Sequence, residues 1–357
     1  MRQYLKNLLQ RNANYALAAL CLLVHCTMLN AEPRDNVVIL VYHHVSTKTP
    51  PLTSISPEQF AAHLAHINEH HVVLPLDEVV TSLKNNEQLP DKSIAITFDD
   101  GYRNILENAH PLLRQYNIPY TVFINPPEIG ARRDQLNWAE IKTMSQEGVL
   151  FANHTMDHAH LLARLENETQ QQWLERSLQN IRAAETMITE QIGYSLQYLA
   201  YPFGEFNFVL RDALLAEGYT GFAQHSGAMS SRGDFGAIPR FPAAGIYANL
   251  KTLKTKLNSL APIVVDALEP MQTLGSQPNV GLRLADGQSS ASRFTCFYNN
   301  QVIEAVAVQE VLNFTLPEPL NAGRSRVNCT APSGIAGRFY WYSQPFFVAD
   351  ENGQYPN

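Results

Sequence analysis

Cysteine is scarce in this chain, with four among 357 residues. Cys21 and Cys26 fall in the N-terminal segment, and neither has the small residues that precede a lipoprotein cysteine. Only Cys296 and Cys329 would remain in a mature chain, so a single disulfide is the natural pairing in an oxidising compartment. A run of charge of one sign is also missing: 33 acidic and 26 basic residues are interspersed, for a net charge of −7. That excludes the basic footprint of a nucleic-acid binder. Internal repeats and low-complexity tracts are absent. The longest apolar stretch, Tyr15 to Leu29, is interrupted by His25 and Thr27 and is too short and broken to read as a firm membrane span.

What is present points to a folded, exported protein. Hydrophobic residues make up 45% of the chain, with 16 Phe and three Trp, enough to fill real cores. Arg2, Lys6 and Arg11 precede the apolar stretch, the layout of a targeting segment over residues 1–31. Cleavage after Ala31 places Leu29, larger than the usual small residue, at minus three. The segment is therefore read as a signal peptide or as an uncleaved anchor that would keep the protein at a membrane. Either reading makes it periplasmic or extracellular.

Residues 36–260 alternate short apolar strands with helical stretches, the pattern of parallel strands joined by crossover helices. Strands are expected at Val37–Tyr42, Ser93–Phe98, Tyr120–Ile124, Val149–Asn153, Gln197–Tyr201 and Tyr219–Ala223. Several are continuous apolar runs, as suits strands covered on both faces. Leu174, Leu178, Ile181 and Ile188 recur at helical spacing over Trp173–Ile192, and Pro57 with Glu58 opens another helix carrying Phe60, Leu64 and Ile67. His63, His66, His70 and His71 are read as a solvated face of that helix. Tyr247–Leu260 is read as a further helix. Over residues 276–350 short strands separated by Gly, Pro, Asn and Ser replace the helical pattern, and a small β-sandwich is expected. Its last strand carries Tyr340, Trp341, Tyr342, Phe346 and Phe347, either a sugar-stacking surface or a seam against the first domain.

Three clusters sit where an expected strand gives way to a loop, the position at which α/β folds build their sites. Thr97-Phe98-Asp99-Asp100-Gly101 sets two adjacent carboxylates after a buried strand, where they repel one another unless a cation or donors compensate. Gly101 permits the tight turn that brings both to one cavity. Taken alone, the pair also reads as a helix cap. His154-Thr155-Met156-Asp157-His158 sets two imidazoles at i and i+4, on one face if the segment is helical. Two imidazoles and one carboxylate with an open position make a usual catalytic zinc set. Ala200-Tyr201-Pro202-Phe203-Gly204 is an ordinary turn in isolation, but it can also aim a backbone N–H into a site mouth.

Together these clusters resemble the polysaccharide deacetylases, the family-four carbohydrate esterases with a NodB-homology domain, over about residues 36–245. The resemblance implies a distorted (β/α) barrel, α/β in class, followed here by the C-terminal all-β sandwich. It makes Asp99 the catalytic base and Asp100, His154 and His158 the ligands of zinc or another divalent transition metal. Phe203 becomes the residue whose backbone N–H helps hold the oxyanion. Many members have Arg two residues before the Pro of the third motif, where this chain has Ala200. Arg240, in Pro239-Arg240-Phe241-Pro242, is a candidate to orient the base instead. The usual late Leu-x-His motif for the general acid is not evident. Val41-Tyr42-His43-His44-Val45 is similar to the early segment of the exported poly-N-acetylglucosamine deacetylases, which makes His43 the favoured acid, with His44, His160 and His225 as alternatives.

The function this implies is metal-dependent de-N-acetylation of an N-acetylated glycan, a polymer or oligomer of N-acetylglucosamine. Trp138 and Tyr102 are candidate sugar-stacking side chains, or core. An O-acetyl esterase acting on acetylated xylan is the nearer alternative, and a non-catalytic glycan-binding protein the farther one.

Overall fold

The computed structural model describes residues 35–285 and 290–356. Residues 1–31, expected from the sequence to be a targeting segment, lie outside the described residues, and Cys21 and Cys26 with them.

The long apolar runs become a curled parallel sheet. Its main strands are β1 (Asn36–Tyr42), β2 (Ser93–Phe98), β3 (Thr121–Ile124), β4 (Leu150–Asn153), β5 (Tyr198–Ala200), β6 (Thr220–Phe222) and β7 (Ala228–Ser230). They lie side by side in the order β7-β1-β2-β3-β4-β5-β6. All neighbours are parallel except β7, which runs against β1. Every residue of β1 and β2 is buried, because helices cover one face and the curled interior the other. Residues after β7 close the gap between the sheet's ends. Ile238 bridges to Phe222 of β6, and Phe241–Pro242 pairs in parallel with Leu40 and Val41 of β1. Arg240 lies between those two pairings.

The helices begin where their capping chemistry places them. Ser56 and Gln59 form a reciprocal capping box at the start of α1 (Pro57–His70), with Pro57 in the first turn. Thr169 and Gln172 do the same for the long helix Gln170–Ile192, which ends at left-handed Gly193. Its inner stripe buries Trp173, Leu178, Ile181, Ala184 and Ile188. The expected helix over Tyr247–Leu260 is shorter, Leu250–Leu257, with a 3₁₀ turn before it and a two-residue strand, Ser259–Leu260, after it.

One expectation is overturned. His63 does not belong to a solvated face: it is 1% exposed. Its Nδ1 accepts from the Tyr42 hydroxyl at 3.0 Å and its Nε2–H donates to the Ala248 carbonyl at 2.8 Å. Position 63 falls inside the stripe set by Phe60, Leu64 and Ile67, so the polar ring is buried and fully partnered.

The C-terminal region holds two sheets around one core. One contains Phe339–Val348, Gly323–Pro332, Thr295–Tyr298 and Gln301–Ile303; the other contains Val264–Asp266, Asn279–Leu284, Val311–Thr315 and Ala305–Val308. Strict alternation along Asn279–Leu284 sends Val280, Leu282 and Leu284 inward. Cys296 and Cys329 face one another across adjacent strands and are disulfide-bonded. The strand Phe339–Val348 also forms the seam with the first sheet region. It pairs with Ser259–Leu260, and Trp341 meets Phe241 edge-on at 5.3 Å. Phe346 and Phe347 are buried. The aromatic residues of this strand thus serve largely as packing.

Candidate active site

The C-terminal ends of the parallel strands converge on one mouth. After β2, Asp99 stays extended, its N–H donating to the Tyr42 carbonyl at 2.9 Å. Asp100 and Gly101 then take left-handed conformations, φ 72° and 70°. Two such residues in succession reverse the chain and let both carboxylates reach the same side. At Gly101 an added Cβ would lie 2.9 Å from Ile124 Cγ2, so the turn also needs the missing side chain.

The loop after β4 brings in the histidines, but not as a helix. Residues 154–158 are irregular, with Thr155 at φ 71° and His158 at φ 51°. Local hydrogen bonds hold the loop. Thr155 N–H donates to Asn153 Oδ1 at 2.8 Å, His158 N–H donates to Thr155 Oγ1 at 3.1 Å, and Asn125 Nδ2 donates to the His154 and Thr155 carbonyls. Asn153 is itself anchored by donating to Glu185 Oε2 at 2.8 Å. Left-handed non-glycine residues concentrated at one mouth store strain that the surrounding bonds must over-determine.

Asp100 Oδ1 lies 3.3 Å from His154 Nε2 and 3.5 Å from His158 Nε2. One ligand atom from each of the three residues fits within a 4.8 Å spread. His154 donates through Nδ1–H to the Ala200 carbonyl at 2.8 Å, which fixes the tautomer and turns the Nε2 lone pair toward Asp100. That Nε2 is buried and has no hydrogen-bond partner. An orphaned imidazole lone pair beside a carboxylate and a second imidazole is the donor set a divalent transition metal takes. Burial opposes charge on Asp100, yet His154, His43 and His158 hold its carboxyl well below the usual range. Burial would likewise lower His154, but the Asp100 and Asp99 carboxylates reverse this and raise it. The group attracts positive charge. His158, by contrast, is lowered to about 4 by burial and by His154.

Asp99 is wholly buried beside this group. Burial pushes its carboxyl up, but Arg240 and His154 outweigh that and hold it below its ordinary value, so it is ionised at neutral pH. Arg240, also wholly buried, grips it with two parallel bonds, Nη1 to Oδ1 at 2.7 Å and Nη2 to Oδ2 at 2.8 Å. The guanidinium is fixed in turn by the Ala223 carbonyl at 2.9 Å and Thr97 Oγ1 at 3.2 Å. Gln224 adds a bond to Asp99 Oδ2 at 3.3 Å.

On the far side of the mouth, Phe203 sits at φ 59°, ψ 2° in the turn Pro202–Gly204. Its ring meets His158 edge-on at 4.6 Å and stacks on His160 at 3.9 Å. The four histidines weighed as general acid fall in different surroundings. His43 is partly exposed, and its charge acts on Asp99, Asp100 and His158. His44 is buried under Tyr102, rings 3.7 Å apart, and bonds Asn104 Nδ2 at 2.9 Å; burial lowers it to about 4. His160 bonds Glu205 Oε2 at 2.8 Å. His225 lines a separate cavity at the seam, together with Phe206, Ser230, Trp341 and Tyr342. Burial and Arg326 lower it to about 3. Tyr102 adjoins Asp100, which with burial raises its phenol, whereas Trp138 packs on the main barrel core.

Sequence reasoning missed Asn125, Gln224, Glu205 and Arg324. Asn125 directly follows β3, and a polar residue at the end of an apolar strand is a usable signal. Arg324 carried none, being more than a hundred residues from what it touches, since its Nη1 donates to the Phe203 carbonyl with a sequence separation of 121.

The structure is thus an α/β domain whose curled parallel sheet carries at its mouth an Asp–His–His group and a buried, arginine-clamped carboxylate. Residues 86–222 match the family model described as polysaccharide deacetylase, within a domain of NodB-type fold. YxkH of Bacillus subtilis is 27% identical over 196 residues, 54% of this chain and 65% of its own length. The poly-beta-1,6-N-acetyl-D-glucosamine N-deacetylase of Staphylococcus aureus is 27% identical over 172 residues, 47% of this chain and 59% of its own length. The chain therefore spans less than two thirds of these relatives. The solved structure of a de-N-acetylase from Aggregatibacter actinomycetemcomitans aligns with a TM-score of 0.56 at 21% identity, covering 62% of this chain and 100% of that one, a likeness of fold.

Proposed function

We propose that this chain hydrolyses the acetamide of N-acetylglucosamine units in a polysaccharide or oligosaccharide, yielding a free amine and acetate. The reading is carried by the Asp100–His154–His158 group lying beside the buried Asp99–Arg240 pair. The named activity of the Staphylococcus aureus relative supports a β-1,6-linked polymer as substrate.

Asp100, His154 and His158 would hold the metal, zinc in this proposal. When bound there it supplies Lewis-acid polarisation of the acetyl carbonyl and lowers the pKa of water. Asp99 takes the proton of the attacking water. Arg240 occupies one acceptor position on each Asp99 oxygen and Gln224 a second on Oδ2, which leaves Oδ1 the freer to accept from that water. Phe203 donates its N–H to the oxyanion, an interaction worth on the order of 3 kcal/mol in other enzymes. His43 protonates the departing sugar nitrogen as the C–N bond breaks, and acetate leaves.

Export is part of the proposal: the N-terminal segment has the layout of a targeting signal, and the Cys296–Cys329 disulfide supports an oxidising compartment. Acetate release separates the readings. Release from N-acetylglucosamine oligomers, lost on chelation and restored by zinc, is the expected outcome. Release from acetylated xylan alone would make the protein an O-acetyl esterase, and metal binding with no release from either would leave a glycan-binding protein.

A further inference from the structure

We propose that Arg324, carried by the C-terminal β-region, is a positioning residue of the active site: it holds Phe203 in the left-handed conformation that aims its N–H at the reacting carbonyl. This rests on Phe203 serving as the oxyanion donor. A non-glycine residue at φ 59° costs about 1–2 kcal/mol and persists only where its surroundings over-determine it. Pro202 fixes only its own φ, at the position before Phe203. Beyond Pro202, the restraints come from two directions.

From below, the Phe203 ring lies flat on His160, centroids 3.9 Å apart and planes 8° from parallel. His160 is pinned by Glu205, whose carboxylate is wholly buried. This contact fixes the side chain. From the C-terminal region, Arg324 Nη1 donates to the Phe203 carbonyl at 2.7 Å, and the guanidinium carbon lies 5.5 Å from the ring centroid. A carbonyl so held fixes ψ, and with the ring fixed the N–H on the other side of the residue has one direction left. Arginine suits the task because one rigid group both donates and stacks.

The β-region is braced to deliver this contact. Arg324 lies opposite Phe347 in the strand register, and Phe347 packs on Phe206 at 5.8 Å, two residues beyond Gly204. Gly204 is pressed against Gln224, where an added Cβ would come within 2.6 Å, and Gln224 reaches Asp99. The turn is thus held between the C-terminal strand and the base. The mouth is complete only with the β-region in place.

The test uses the full chain with zinc, comparing wild type, Arg324→Ala, Arg324→Lys, Phe203→Gly and the Phe203→Gly/Arg324→Ala double variant on N-acetylglucosamine oligomers. Arg324→Ala should lower kcat by roughly 10- to 100-fold, with KM and zinc content unchanged. Arg324→Lys, which keeps a donor, should recover to within about 5-fold of wild type. In the Phe203→Gly background, where glycine adopts the conformation unaided, removing Arg324 should cost less than about 3-fold. Unchanged kcat in Arg324→Ala, or a raised KM with kcat intact, overturns the proposal. Amide hydrogen exchange gives a readout independent of turnover, because Gly204 N–H donates to the Tyr201 carbonyl at 2.8 Å and reports on the turn. Its exchange should quicken about 10-fold or more in Arg324→Ala with little change in Tm, and equal exchange overturns the proposal. A wild type inactive on every glycan, with exchange that still depends on Arg324, refutes the deacetylase reading and upholds the positioning role.

Discussion

Among single residues, Arg240 and Asp99 depend most on each other. Each is wholly buried and charged, so removing either leaves the other uncompensated, at a cost of about 3–5 kcal/mol. Arg240→Met should lose about that much stability in a denaturant titration and also misorient the base, with kcat falling at least about 100-fold. Arg240→Lys keeps the charge but not the two parallel bonds, and should recover stability better than turnover. The neighbouring aspartates should separate cleanly: Asp99→Asn abolishes turnover and keeps the bound metal, while Asp100→Ala loses it by elemental analysis. The first pattern with the residues exchanged would reverse their roles. His225 gives a pH signature. Its folded value, about 3, lies below the ordinary 6.5, so below pH 6.5 the unfolded chain binds a proton that the native one refuses. Its contribution is intact above that value and is lost as pH falls. Between pH 7 and 5 the single group costs about 2 kcal/mol, and His225→Leu should lose correspondingly less stability over that interval.

Elements were more legible in the sequence than the loops between them. The parallel strands fall within a residue or two of their expected positions, because a continuous apolar run of four to seven residues bounded by turns is too short for a buried helix and suits a strand covered on both faces. The loop His154–His158 was not legible as a conformation. Spacing i to i+4 suggests one helical face, whereas the two rings converge through left-handed backbone at Thr155 and His158. Arg240 stood out in the sequence as a candidate to orient the base, but its placement against Asp99 was not legible, since it arrives on a segment whose pairings with β6 and β1 are one or two residues long. The two glycine turns should respond differently to an added methyl group. Gly101→Ala meets Ile124 Cγ2, a branch methyl close to its own backbone, and Ile129 Cδ1, side-chain atoms that can yield only in part. Gly204→Ala meets Gln224 Cβ at 2.6 Å and its backbone N at 2.7 Å, which cannot. Both pay left-handed strain of about 1–2 kcal/mol. Gly204→Ala should therefore cost more turnover for a given loss of Tm, because the displaced Gln224 bonds Asp99. Equal kcat in the two variants would refute that coupling.

At the scale of the molecule, the change from helical to strand pattern located the C-terminal region, but not how firmly it is joined to the barrel. A joint is built from contacts distant in sequence, such as Trp341 on Phe241 or the partly buried ion pair of Arg338 with Asp91, and no local pattern announces them. The strand Phe339–Val348 belongs to both parts. It pairs with Ser259–Leu260, sends Phe346 into the β-core and sends Phe347 into the cluster that holds Tyr201 and Phe206. The β-core therefore cannot melt without exposing side chains packed under the third motif. Calorimetry of the wild type should show one unfolding transition. The disulfide closes a loop with a sequence separation of 33 and contributes about 4 kcal/mol by restricting the unfolded chain. Removing it by the paired substitution Cys296→Ala/Cys329→Ala should move that single transition down as a whole. A separate low-temperature transition for the β-region, with the barrel still active above it, would show that the two parts unfold independently.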